Sequence, residues 1–163
     1  MLESNSKPIF LVDAMLGNIA KKLRLLGYDS EYSSDIKDDE LVQKAKNENR
    51  ILLTKDEPLL KKAKKLDASV IYIKNNSELE QLVQIFKNFD LSKVTVSGNT
   101  SRCTECNGRL ENIEKDKVAN KVPVGVLEKI NEFWECTNCK KIYWEGTHIE
   151  RLQKFVDELN EKL

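Results

Sequence analysis

The chain has 163 residues, a third of them charged, with 27 Lys and Arg against 27 Asp and Glu. That length suits one ordinary domain plus a small appendage, and the cancelling charges exclude a general attraction to polyanions, so any basic surface must be local. No apolar run approaches the roughly 20 residues that span a bilayer, and the polar start, Met1 to Lys7, lacks a signal-peptide core, so the protein is expected in the cytoplasm with no membrane partner.

In chain order, residues 1–7 read as a loose lead-in. An apolar run over 8–12 ends on Asp13, the pattern of a strand buried on both faces of a parallel sheet. Met15, Leu16, Ile19, Leu23 and Leu26 then recur at helical spacing, and Gly27 is placed to end that helix in a left-handed conformation. Ser30 to Ser33 is a short second strand. Asp35 to Asp38 is a polar turn, with Asp38 placed to cap a helix carrying Leu41, Val42 and Ala45 and ending near Asn49. Ile51 to Thr54 is a third strand, followed by Asp56 and a lysine-rich helix with Leu59, Leu60 and Ala63. Val70 to Ile73 is a fourth strand. Ser77 and Glu80 have capping-box spacing and open a helix bearing Leu79, Leu82, Val83 and Phe86. Four alternations of strand and helix indicate an α/β fold with a parallel sheet sandwiched by helices. The pattern changes near Leu91, and Ser97 to Ser101 reads as a linker or turn. The expected units are therefore 1–96, the α/β domain, and 97–163, a cysteine-bearing module. Thr147 and Glu150 also have capping-box spacing and precede a final helix with Leu152, Phe155, Val156 and Leu159.

Cys103-x-x-Cys106 and Cys136-x-x-Cys139 are separated by 29 residues. Two such turns aim four sulfurs at one ion, which suits tetrahedral zinc, and the flanking Phe133–Glu135 and Ile142–Trp144 fit the strands of a zinc ribbon. With all four positions filled by protein, the zinc is structural. The ribbon either only stabilises the fold or also touches RNA. His148, the single histidine, is not needed as a ligand.

Asp13 and Asp56 each follow an apolar strand, so in a parallel sheet both project from its carboxyl edge, where such sheets bind ligands. Carboxylates converging there repel unless a cation joins them, and hard oxygen ligands select magnesium or manganese. Asp35, Asp38, Asp39 and Glu40 are available as further ligands, while helix capping and the helix dipole explain several of these acids equally well. Lys21, Lys22 and Arg24 on the first helix, and Lys55, Lys61, Lys62, Lys64 and Lys65 after strand three, form either solvated helix faces or a phosphate-binding rim.

Phe10 to Asp29, Arg50 to Asp56, and the paired cysteines followed by Tyr143-Trp144-Glu145-Gly146-Thr147-His148 together resemble the Mut-seven C-terminal RNase domain family over roughly 8 to 150. Lys22 and Ile149 stand where a tryptophan is expected in that family. The resemblance implies a PIN-like domain fused to a C-terminal zinc ribbon. It also implies a metal-dependent ribonuclease, expected to be an endonuclease acting on single-stranded RNA. Asp13, Asp39 and Asp56 match its acidic positions, with Asp38 one residue from the second, and would hold the catalytic magnesium or manganese. Arg24 matches a basic position and, with Lys21 and Lys55, would neutralise phosphate. A non-catalytic RNA-binding zinc-ribbon protein is the alternative. A receiver-like phosphoacceptor is a third reading, which the lack of paired acids after strand one opposes.

Overall fold

The computed structural model describes residues 7–91 and 93–163; the expected lead-in, apart from Lys7, lies outside them. The two most apolar runs become the centre of a four-stranded parallel sheet. Its strands are β1 (Phe10–Val12), β2 (Ser30–Tyr32), β3 (Ile51–Thr54) and β4 (Val70–Tyr72), in the spatial order β2-β1-β3-β4. Phe10 pairs with Ile51 and Val12 with Leu53. Side chains of successive strand residues point to opposite faces. Phe10, Val12, Leu53 and Ile71 therefore enter one apolar cluster, and Leu11 and Leu52 enter another.

Helices cover both faces. On one side lie α1 (Gly17–Leu25) and α4 (Glu78–Asn88), and on the other α2 (Asp38–Asn47) and α3 (Glu57–Lys65). A single 3-10 turn, Ala14–Leu16, joins β1 to α1. Gly27 ends α1 at φ +95°, in the left-handed region a glycine adopts without strain. Its N–H donates to Arg24 O and that of Tyr28 to Leu23 O, the bond pair of a Schellman cap. Tyr28 packs edge-on against Phe10 and Phe86. Ser77 caps α4, accepting from the Glu80 N–H.

Two expected caps are corrected. Lys37, not Asp38, holds the N-cap position of α2 and gives no side-chain cap. Asp38, Asp39 and Glu40 all lie within the first turn, where the helix dipole favours negative charge. The final helix, α7 (Thr147–Lys162), begins one residue too early for a Thr147–Glu150 box. Gly146 is its N-cap, and the Ile149 and Glu150 N–H groups donate to Gly146 O.

The cysteine module forms its own antiparallel sheet from β5 (Leu110–Ile113), β6 (Phe133–Cys136) and β7 (Ile142–Tyr143). Two short helices, α5 (Lys115–Val118) and α6 (Val124–Lys129), occupy the stretch between the cysteine pairs. The terminal helix leaves that module and returns to the first. Leu152, Val156 and Leu159 are buried in the same cluster as α1 and α4, each contributing about 1.5–3 kcal/mol over exposure. Amides of α7 also satisfy the linker backbone. The Asn160 side chain bonds both N–H and C=O of Val94, and Gln153 accepts from the Val96 N–H. Among the described residues no helix is long and apolar enough to cross a membrane.

Candidate functional site

At the carboxyl edge of the sheet Asp13 and Asp56 are joined through one hydroxyl. The Asp13 N–H donates to Leu53 O, which extends the β1–β3 ladder and places its side chain opposite Thr54. The Thr54 hydroxyl, fully buried, donates to Asp13 Oδ2 at 2.8 Å and accepts from the Asp56 N–H at 2.9 Å. Asp13 Oδ1 accepts from the Ala14 N–H at 2.7 Å. Asp56 caps α3, its Oδ1 accepting from Leu59 N–H at 3.4 Å. Each carboxylate retains lone pairs beyond these bonds.

Asp39 lies elsewhere. Its side chain is 79% exposed and bonds Lys62 of α3 at 2.8 Å, which raises the Lys62 pKa. Asp35 is exposed, with only a long contact to the Ser34 hydroxyl. Among the described residues the cysteines are the one group of three or more His, Cys, Asp or Glu side chains whose ligand atoms all lie within 4.8 Å of one another.

The basic residues separate into ties and free charges. Arg24 is only 7% exposed; its Nε donates to Ser30 O and its Nη1 to Thr104 O, fastening α1 to β2 and to the first cysteine turn. Lys22 bonds Glu78 and lies over the Phe155 ring; the Lys22 hydrogen bond holds the Glu78 carboxyl below its ordinary pKa. Lys55 donates to Asn75 O and Asn76 Oδ1, beside a cleft of about 410 Å³ lined also by Met15 and Gly17. Lys21 is exposed on α1 and borders two further clefts. His148 and Arg151 line the larger of these, about 570 Å³, between α1 and α7.

The four thiols are unlinked to one another and converge. Cys103 and Cys139 Sγ are 3.6 Å apart, and Cys106 and Cys136 Sγ 3.4 Å. A tetrahedral zinc site with Zn–S near 2.3 Å has sulfurs about 3.8 Å apart, so the donor set fits a structural zinc. Desolvation acts upward on Cys106, but hydrogen bonds from Asn138, Cys136 and Gly108 outweigh it and hold this thiol at about 6. The Tyr143 hydroxyl contacts Cys103 Sγ at 3.0 Å and accepts from the Thr104 N–H, orienting a ligand from behind.

Asn107, just after the first cysteine pair, links this centre to the sheet. Its φ of +69° suits a residue that tolerates the left-handed region. Its Oδ1 accepts from the Ser30 N–H on the sheet edge, and its Nδ2 donates to Asp29 Oδ1 and Glu31 Oε2. Replacing Asn107 with alanine strands the buried Ser30 N–H and removes one partner each from the half-buried Asp29 and Glu31 carboxylates, and should cost about 1–3 kcal/mol; urea unfolding at fixed zinc content measures it.

Asp29 also pairs with Arg50 at 2.8 Å. Desolvation acts upward on its carboxyl, but the Arg50 and Asn107 hydrogen bonds prevail and hold it below its ordinary 3.8. Its contribution is therefore complete above 3.8 and lost as pH falls through the lower folded value. The stability deficit of Asp29→Asn at pH 7 should shrink toward pH 3, as urea midpoints at both pH values would show.

Sequence reasoning missed Asn107 as a tie and Thr54 as a link. The Asn-Gly pair after a cysteine turn and the lone hydroxyl ending an apolar strand were the available signals. The Mut7-C RNAse domain model matches residues 8–156, spanning the sheet, the thiolate centre and most of α7. No curated protein and no solved structure is significantly similar to the chain. With the match covering nearly the whole sequence, the chain belongs to the Mut7-C RNAse domain family.

Proposed function

We propose that this protein is a metal-dependent ribonuclease that cleaves single-stranded RNA internally, with residues 1–96 as its catalytic unit and 97–163 as a zinc-stabilised module. The observation that supports it best is the Asp13–Thr54–Asp56 chain at the carboxyl edge of the sheet. The link reaches Asp56 through its backbone N–H, and the two carboxylates, each with spare lone pairs, would supply hard oxygen ligands suited to magnesium or manganese. Asp13 and Asp56 would hold the ion, and Asp39 would join them once its solvent-screened bond to Lys62 is released. A divalent cation bound there supplies activation of water and neutralisation of charge during in-line attack on a phosphodiester.

The chain's own groups do the rest. Ala14 N–H and the Thr54 hydroxyl fix the Asp13 carboxylate. Lys55 at the same edge, beside its bonds to Asn75 and Asn76, and Lys21 one turn into α1 would bind phosphate. Arg24 lends its charge from within the wall of the Lys21 cleft. Circular single-stranded RNA has no ends, so an endonuclease linearises it. Linearisation in magnesium or manganese but not in EDTA is the expected result, and degradation restricted to linear RNA would remove the endonuclease assignment.

The exposed position of Asp39 on Lys62 favours a second reading, a non-catalytic RNA-binding protein. That reading expects salt-sensitive RNA retention without cleavage in either metal.

A further inference from the structure

Tyr32 ends β2, paired with Val12, so its ring stands at the same sheet edge as Asp13. Tyr32 is 38% exposed, among the few large hydrophobic residues left in solvent. It does not hang free. Its hydroxyl donates to Ala14 O at 3.0 Å, and one side lies on the backbone of Gly17, where a Cβ would come within 3.0 Å of the phenol oxygen. A pinned aromatic with an open side is a platform for a planar ligand. It borders a cleft of about 350 Å³ with Lys21, Arg24 and Thr104.

That cleft continues in both directions. Through Gly17 and Asn18 it meets the cleft of Lys55, and through Lys21, Thr104 and Glu105 it meets the larger one beneath α7, lined by Lys141 and Arg151. Two acids lie along this route, and both are paired: Lys22 bonds Glu78 in the Lys55 cleft, and Lys141 stands 3.5 Å from Glu105. In a chain whose charges cancel overall, a joined line of cations leading from a carboxylate edge past an open aromatic is a local arrangement suited to a charged strand with flat bases.

We propose that one RNA strand runs along this line, with an unpaired base stacked on Tyr32 and its phosphates on Lys21, Lys141 and Arg151. The route deepens the ribonuclease reading and rests on it for the direction of the scissile phosphate. An aromatic platform takes a base only when the base is out of a duplex, so the strand is single, and the cysteine module and α7 form one bank of its path.

The test uses the full chain carrying Asp13→Asn, so that RNA stays intact, and fluorescence anisotropy with a labelled oligoadenylate of about ten nucleotides, the scale of single-strand sites. Tyr32→Ala should weaken binding by about 5- to 150-fold, the range for losing one stacked base, while Tyr32→Phe, which keeps the ring, should bind as the parent does. Arg151→Gln should lower the salt slope of binding by about 0.7, the value of one phosphate contact on a single strand. Equal affinity in the parent and Tyr32→Ala, an unchanged salt slope, or no binding by the parent at low salt would overturn the route. Cleavage by the unaltered protein, read separately, reports on the ribonuclease reading, so the two can fail independently.

Discussion

Exchanging Cys136 for serine is expected to unfold most of residues 103–146 and to weaken the sheet they do not belong to. The cysteine module has few buried apolar side chains of its own, chiefly Val118 of α5 and Phe133 and Trp134 of β6, beside the cysteines. With zinc on its four thiols a module this small would take its stability from the metal, for which apparent binding free energies at pH 7 are about 10–16 kcal/mol. Its collapse also withdraws Thr104 O from Arg24 and the Asn107 amide from Ser30, Asp29 and Glu31. The Ser30 N–H and the Glu31 carboxylate lose that partner, while Arg24 keeps Ser30 O and Asp29 keeps Arg50; an aggregate loss of about 2–3 kcal/mol would lower the melting midpoint of the remaining domain by about 8–12 °C. Calorimetry with metal analysis should show one zinc per folded chain, and amide exchange should locate the loosening at β2. An unchanged melt after complete metal removal would show that the ribbon does not support the sheet.

The second large effect concerns Asp13. Asp13→Asn keeps the side-chain volume and can still accept from the Ala14 N–H. The new amide can donate to the Thr54 oxygen, which has a second lone pair; the cost is a stranded hydroxyl proton, about 1 kcal/mol. Loss of the negative charge is the larger change. Cleavage should fall by about 100- to 1,000-fold, the scale of removing one preorganised electrostatic group from a reacting centre. Asp56→Asn should act similarly. Asp39→Asn and Asp38→Asn, compared side by side, identify which first-turn acid of α2 contributes, because only a group that reaches the cation lowers cleavage on that scale.

The alternation of strand and helix was legible because β1 and β3 are buried on both faces, so their sequence is uniformly apolar where surface strands would alternate. The four-cysteine cluster was legible because paired cysteine spacing constrains the chain locally. The terminal helix showed its apolar stripe but not its destination: nothing near Leu152 or Val156 indicates that the face they share packs on α4, some 70 residues earlier. The α5 and α6 helices are too short to carry a periodicity. The phosphate-neutralising role expected of Arg24 follows from the family resemblance, which carries no sign of its burial. Its carbonyl partners, Ser30 and Thr104, are tertiary and leave no mark on the residues around it. The same limit applied to Asp39, whose partner Lys62 comes from a different helix.

The most direct test of the ribonuclease account is single-turnover cleavage of a labelled single-stranded RNA by the wild type and Asp13→Asn, in magnesium, in manganese and in EDTA. Matched unfolding curves and matched zinc content would establish that both proteins are folded. The account predicts cleavage by the wild type in either metal, none in EDTA, and loss in the variant. Equal cleavage by the two proteins, or wild-type cleavage that persists in EDTA, would contradict a carboxylate-held metal as the catalytic centre.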